Sequence, residues 1–376
     1  MLDDAVRLFL GGDVMLGRGV DQILAHRGDP TLCERSVRDA RTYVELAEAV
    51  NGPIPWPVDY SWPWGDALAV LDRFQPDVRL VNLETSVTRS GSFAVGKGVH
   101  YRMSPDNLPA LTAARPDVCS LANNHVLDFG ISGLEETLDA LSRARIPAAG
   151  AGRDAIEAAR PVLIPAANGR VIVFSFGATS SGVPASWAAT ADRPGICVLS
   201  DLSERTAAAI TDQVSRVKRR GDLVVVSLHW ASNWGYAVTA RQIRFAHRLV
   251  DGGVDLVHGH SAHHPRPMEI YRDRLILYGC GDLIDDYEGI SGYDEYRDDL
   301  RLLYLATVER ATGQLRSLRM APMQAHRMRL RPATPRDAEW LCQTLNRVCR
   351  RYGTRIALDE EGLLKLADHP RSQGRL

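Results

Sequence analysis

Acidic, amide and imidazole side chains recur at the ends of short apolar runs in this chain. Asp13 closes "VRLFLGGD" (6–13), Glu84 closes "VRLVNLE" (78–84), and Asn123, Asn124 and His125 close "VCSLANNH" (118–125). His229 and Trp230 close "LVVVSLHW" (223–230), and "VDLVHGHSAHH" (254–264) delivers His258, His260, His263 and His264. Carboxylate, amide carbonyl and neutral imidazole are the donors a divalent cation takes, and no thiolate stands among them. The expected cofactor is therefore a divalent metal ion such as Ca²⁺, Mg²⁺, Mn²⁺, Fe²⁺ or Zn²⁺. A single residue of this kind at a strand end is commonly structural. Five such ends imply one shared site.

The elements needed to bring them together follow from periodicity. Further apolar runs, "VIVFSFGAT" (171–179) and "RLILYGCGD" (274–282), end in polar or glycine residues. Between the runs lie helical patterns at 133–144, 203–221 and 240–253, the latter two stopping at glycine. Strands alternating with helices predict an α/β fold, in which ligands gather at the carboxyl ends of strands. Residues 25–66, rich in Pro and Trp, break the alternation and read as a lid over a site or an irregular packing flap. The tail, 326–376, reads as a linker, an amphipathic helix over 335–352, a hairpin and a disordered polar end. The main domain is expected over 1–325.

Composition narrows the function classes. Lys+Arg is 45 against 46 Asp+Glu, which argues against general attraction to nucleic acid or an anionic membrane. The six cysteines, at 33, 119, 197, 280, 342 and 349, contain no C-x-x-C and read as reduced thiols. The acidic start "MLDDAVRLFLGGD" lacks the features of a signal peptide, and no apolar run approaches the roughly 20 residues of a membrane span. A cytoplasmic location is the expectation.

Taken together, "GGDVMLGRG", "VNLETSVT", "LANNHVLDFG", "SLHW", "HGHSAHH" and "ILYGCGDL" resemble the CapA-like family of capsule poly-γ-glutamate synthesis. That family is placed in the calcineurin-like metallophosphoesterase superfamily, and the resemblance covers about residues 6–325. It implies a four-layer αββα sandwich. It implies Asp13, Glu84, Asn124, His229 and His260 as metal ligands. It also implies His125 as a catalytic histidine, with Asp128 placed to orient it and His263 completing the final histidine pair. One departure concerns Met15, which stands where superfamily phosphoesterases carry a ligand histidine. This favours one firmly held ion and puts in-line two-metal hydrolysis in doubt. A second is the lack of the anchor common in capsule-export relatives.

Around this site Trp230 and Trp234 are expected as pocket walls. Arg18 and Arg102 are expected either to grip a substrate carboxylate or phosphate through a bidentate fork, or to form structural ion pairs. His100 and His247 read as packing or surface histidines. Three functions remain open. The first is acid–base chemistry on a peptide or small carboxylated substrate, with Asp13, His125, Asp128 and His263 moving protons at Cα, as in the lasso-peptide epimerases this chain resembles. The second is a phosphoesterase, another hydrolase or a poly-γ-glutamate enzyme. The third is a binding protein that kept the fold.

Overall fold

The computed structural model describes residues 5–166 and 169–367. The expected disordered end of the tail, from residue 368, lies outside the described residues. Two sheets pack face to face with helices on both outer faces, which is the four-layer sandwich the sequence implied. The larger sheet has ten strands. Ala5–Val14 runs parallel to Val78–Leu83, which is followed by Val118–Ser120 and Ala148–Ala149; on its other side Ala5–Val14 meets Leu300–Glu309, then Leu315–Ala325. Asp282–Ile284 also lies parallel to Ala5–Val14, beside its carboxyl end. The smaller sheet has seven strands, with Gly169–Ala178, Leu223–His229, Leu256–His260 and Arg274–Leu277 parallel and in that order.

Strand alternation divides the apolar residues into three layers of core. Leu8, Leu10, Val78 and Leu80 of the large sheet meet Val173, Leu223, Val225 and Leu256 of the small one between the sheets. Phe9, Val81 and Leu83 point outward beneath helices that include Gly130–Arg143. Val224, Val226 and Leu228 point outward beneath Glu204–Val217 and Ala240–Asp251. Both of those helices start at a side-chain cap, Ser203 and Thr239, so the sheet-to-helix turns are fixed locally.

Residues 25–66 contain a helix, Arg41–Asn51, and cover the outer face of the large sheet. Trp64 is fully buried there and its indole donates to the Ala110 carbonyl at 2.7 Å. Trp56 stays exposed under a stacked Arg27.

The tail helix runs Pro335–Cys349, capped by Thr334, and the hairpin Ile356–Leu358 and Leu364–Leu366 extends the large sheet next to Leu315–Ala325. Leu341, Cys342, Leu345 and Cys349 enter the core between the sheets. Leu345→Ala is expected to cost about 2–5 kcal/mol, the range for a buried leucine truncated in a packed core. Urea unfolding checks this: a change under about 0.5 kcal/mol would mean that the helix merely rests on the surface. Among the described residues no helix is long and apolar enough to cross a membrane.

Candidate metal centre and acid–base site

Alternation also explains which polar groups meet. In the small sheet Leu223 and Val225 face the large sheet, so Ser227 and His229 do too. His258 and His260 follow Leu256 in the same way, and the register sets Ser227 beside His258 and His229 beside His260. In the large sheet Val78 and Leu80 lead to Asn82 and Glu84 on that same inner side. Asp13 would point outward by simple count from Leu8 and Leu10. A register shift between Leu10 and Asp13 inserts one residue and turns it inward. Gly12 permits this, because a Cβ there would sit 1.8 Å from the Gly281 carbonyl oxygen.

The result is a ring of donors between the carboxyl ends of both sheets, all buried except the half-buried Asn124. His229 Nδ1 lies 2.9 Å from His260 Nδ1, and His229 Nε2 lies 3.0 Å from Asn124 Oδ1. His260 Nδ1 lies 3.7 Å from Asp13 Oδ1, and Glu84 Oε1 is 3.8 Å from His229 Nε2. Asn82 links the two carboxylates, donating to Asp13 at 2.8 Å and to Glu84 at 2.9 Å. Behind the ring, Ser227 bridges His260 and His258, whose Nε2 meets the Gly11 carbonyl at 2.8 Å.

The donor set fits a divalent cation. Ligand atoms of Asp13, His229 and His260 all lie within 4.8 Å of one another. Burial holds His229 and His260 well below the usual imidazole range, so both are neutral and have lone pairs to offer. Burial, with Asp282 nearby, pushes the Asp13 carboxyl up to about 7, and burial with Asp13 nearby raises Glu84 as well. Two buried carboxylates held above their ordinary range are groups that a cation between them would restore to the charged form. Met15 is fully buried and offers no imidazole; its sulfur is 4.0 Å from the Tyr287 hydroxyl.

A histidine–aspartate pair stands at each end of the row. At the Glu84 end, His125 Nδ1 meets Asp128 at 2.6 Å while its Nε2 lies 3.8 Å from Glu84. Burial pulls the His125 imidazole down to about 4 despite Asp128. Lys97 completes this group, hydrogen-bonding to Asp128 and to the Asn124 carbonyl and lying 3.3 Å from His125 Nδ1. At the other end His263 Nδ1 meets Asp282 at 3.0 Å, with the rings of Trp234 and Tyr287 at 5.3 and 5.1 Å. Burial opposes protonation of His263, but Asp282 and Asp13 outweigh it and raise its pKa. Lys97, Asn82 and Asp282 had no role in the sequence reading. Asn82 had a signal, the two-residue step from Glu84; Lys97 had none, because only the fold brings its loop to His125.

Three expected substrate contacts fall elsewhere. Trp230 continues the outward series Val224, Val226 and Leu228 and is fully buried beneath the helices, stacked on Tyr278. It is a core residue and not a pocket wall. Trp230→Ala is expected to lower stability by about 3–5 kcal/mol with KM unchanged in the folded fraction. A selective rise in KM would restore it to the pocket. Arg18 is buried between Asp286 and Glu34 and lies over the Tyr43 ring, so its guanidinium is taken up by structural pairs. Arg102 pairs with Asp29 at 3.3 Å and stacks on Phe129. Trp234 remains beside the site, half-buried and stacked 3.8 Å from exposed Tyr293. His100 is buried beside Phe93, and His247 pairs with Glu269 and stacks on Tyr271.

The bacterial capsule synthesis protein model PGA_cap matches residues 7–287. The chain is 56% identical over 365 residues, 96% of either chain, to a probable polyglutamine synthesis accessory protein of Mycobacterium tuberculosis. It is 25% identical over 304 residues to the PGA biosynthesis protein CapA of Bacillus subtilis, covering 80% of this chain and 68% of that one. A phosphatase structure from Mycoplasma pneumoniae aligns over 85% of this chain and 94% of its own, with a TM-score of 0.45 and 11% identity. The chain belongs to the bacterial capsule synthesis protein family PGA_cap.

Proposed function

We propose that this chain is a metal-dependent acid–base enzyme of polyglutamate-type polymer synthesis, acting on a peptide that carries free carboxylates. The observation that carries the reading is the convergence of Asp13, His229 and His260 from two sheets, flanked by the His125–Asp128 pair. Similarity to proteins named for polyglutamine synthesis and for PGA biosynthesis supplies the substrate class. A divalent ion bound by Asp13, Glu84, Asn124, His229 and His260 would supply positive charge for a substrate carbonyl oxygen. His125 receives or returns a proton at Nε2, while Asp128 and Lys97 fix the ring. No helix spans a membrane among the described residues, and the site is read as acting in the cytoplasm.

The reaction favoured is proton exchange at a peptidyl Cα. Its support is the second pair, His263–Asp282, at the far end of the row. Strand order separates the two pairs by three strand spacings, roughly 14 Å at the main chain, so a single Cα lying between the side chains would have a proton-transfer group on either side. Ion-loaded protein incubated with oligoglutamate in D₂O tests this. Deuterium at an inverted Cα, with no fragment released, is the expected result. Fragments, or p-nitrophenol from a phosphodiester, would replace epimerisation by hydrolysis. If none of these products formed, the enzymatic reading would fall in favour of a binding protein.

A further inference from the structure

From His263 a strip of ring contacts leads toward the tail helix. Trp234 lies 5.3 Å from His263, Tyr296 lies 5.4 Å from Trp234, and Tyr236 lies 5.5 Å from Tyr296. His264 closes the inner side, 4.6 Å from both tyrosines. The strip ends at the tail helix, where the Arg347 guanidinium stands 5.6 Å over the Tyr236 ring.

Other arginines gather at that end. Arg351 donates to the Val238 carbonyl at 2.7 Å, and Arg350 lies between it and Arg347 in the chain. Arg347, Arg350 and Arg351 are all exposed. Beneath them Arg266 is 2% exposed, donating to the Ala237 carbonyl, while among the described residues its Nε and Nη1 have no hydrogen-bond partner. Burial lowers the Arg266 guanidinium only to about 10, so it stays charged at neutral pH. Among the described residues none of these four arginines is in an ion pair with a carboxylate. Cations at a helix C-terminus do favour the helix dipole. That accounts for the tail arginines only in part, and not at all for Arg266, which comes from a different segment. Glu295 acts on Tyr236 from the opposite loop, and Glu269, next to Tyr352, is engaged by the Tyr278 hydroxyl and by His247.

We propose that this strip and its arginine end form a distal binding track for an extended polycarboxylate chain, the part of the polymer that lies outside the metal site. The inference rests on the reading of a carboxylate-bearing polymer substrate and selects the acidic glutamyl form over an amidated glutaminyl one. Rings of the strip cover the aliphatic parts of the chain, Arg347, Arg350 and Arg351 meet its carboxylates, and Arg266 adds its field from below. The four steps from His263 to Arg347 reach no further than an extended peptide of about six residues. Longer oligomers therefore gain contacts that a dipeptide cannot make.

Binding is read in full-length His125→Ala protein, so that no turnover is needed, by fluorescence anisotropy with labelled oligomers. Decaglutamate is expected to bind at least ten-fold more tightly than diglutamate at low salt, with affinity falling steeply as salt rises. Arg347→Gln/Arg351→Gln should remove that ten-fold gain and leave diglutamate unchanged. Among the described residues Arg350 makes no side-chain hydrogen bond or ion pair, so Arg350→Gln should leave the helix seated and weaken decaglutamate about three-fold. Glu295→Gln should tighten it. Equal binding of decaglutamate and decaglutamine would overturn the proposal. So would wild-type affinity in both arginine variants, or a single-stranded DNA of matched charge binding as tightly. Arginine-dependent binding without any Cα exchange or cleavage would sustain the track while removing the enzymatic reading.

Discussion

Replacing His125 with alanine should lower turnover by about 10²–10⁴, the usual contribution of a positioned proton-transfer group, while the fold survives. The environment argues for both halves of that result. Asp128 keeps Lys97 and the Tyr101 backbone amide as donors when the imidazole is gone, so no buried carboxylate is left bare. The His125 ring is nearly buried, held neutral, and turned with Nε2 toward Glu84 and the site. A histidine kept neutral has the Nε2 lone pair free on the side of the site. Steady-state rates and thermal melting on the same preparations check the prediction. An unaltered kcat on the true substrate would end the assignment; a collapsed melting transition would show that the ring is mainly structural.

Asp13→Asn should abolish stoichiometric metal. Its effect on ion affinity should exceed the roughly 10–100-fold loss that follows removal of an outer hydrogen-bond partner. In wild type, added Mn²⁺ at about 1,000 times its Kd should stabilise the fold by about 4 kcal/mol, and the variant should show no such gain. The pH dependence gives a second signature. The folded Asp13 carboxyl sits at about 7, above its ordinary value, because of burial first and Asp282 second. A raised carboxyl binds its proton more tightly in the folded state, so metal-free wild type loses stability as pH rises from about 4 to about 7. Asparagine carries no charge there, so the variant should show a smaller decline, with the part that Glu84 and Asp285 contribute remaining. Elemental analysis and melts at several pH values decide it. A variant that keeps one ion per chain would remove Asp13 from the ligand set.

The large features of this molecule were legible in its sequence because strands announce themselves by apolar runs and ends. What the runs alone hid was the side each residue faces. Counting by twos from Leu223 places Ser227 and His229 on one face and Leu228 and Trp230 on the other. The same count would have moved Trp230 from the pocket to the core before any coordinates. For Asp13 the count fails, since the extra residue at Gly11 and Gly12 reverses the face and only the register reveals it. Lys97 and Asp282 were beyond reach for another reason. Each gains its meaning from a partner on a separate segment, His125 in one case and His263 in the other. The tail helix declared its apolar face by spacing. That its arginines end beside Tyr236 depends on docking between the sheets.

The register that sets His229 beside His260 also limits how this protein can change through time. Substitutions along Leu223–His229 can exchange one apolar residue for another and leave the centre intact. A single codon gained or lost inside that strand cannot, because it would turn every later side chain over and bring Leu228 or Trp230 into the donor ring in place of His229. Two added residues would restore the facing but push the imidazole about 7 Å along the strand. Descendants that keep the centre must therefore vary in length within their loops, and the count of residues between Leu223 and His229 becomes the inherited quantity.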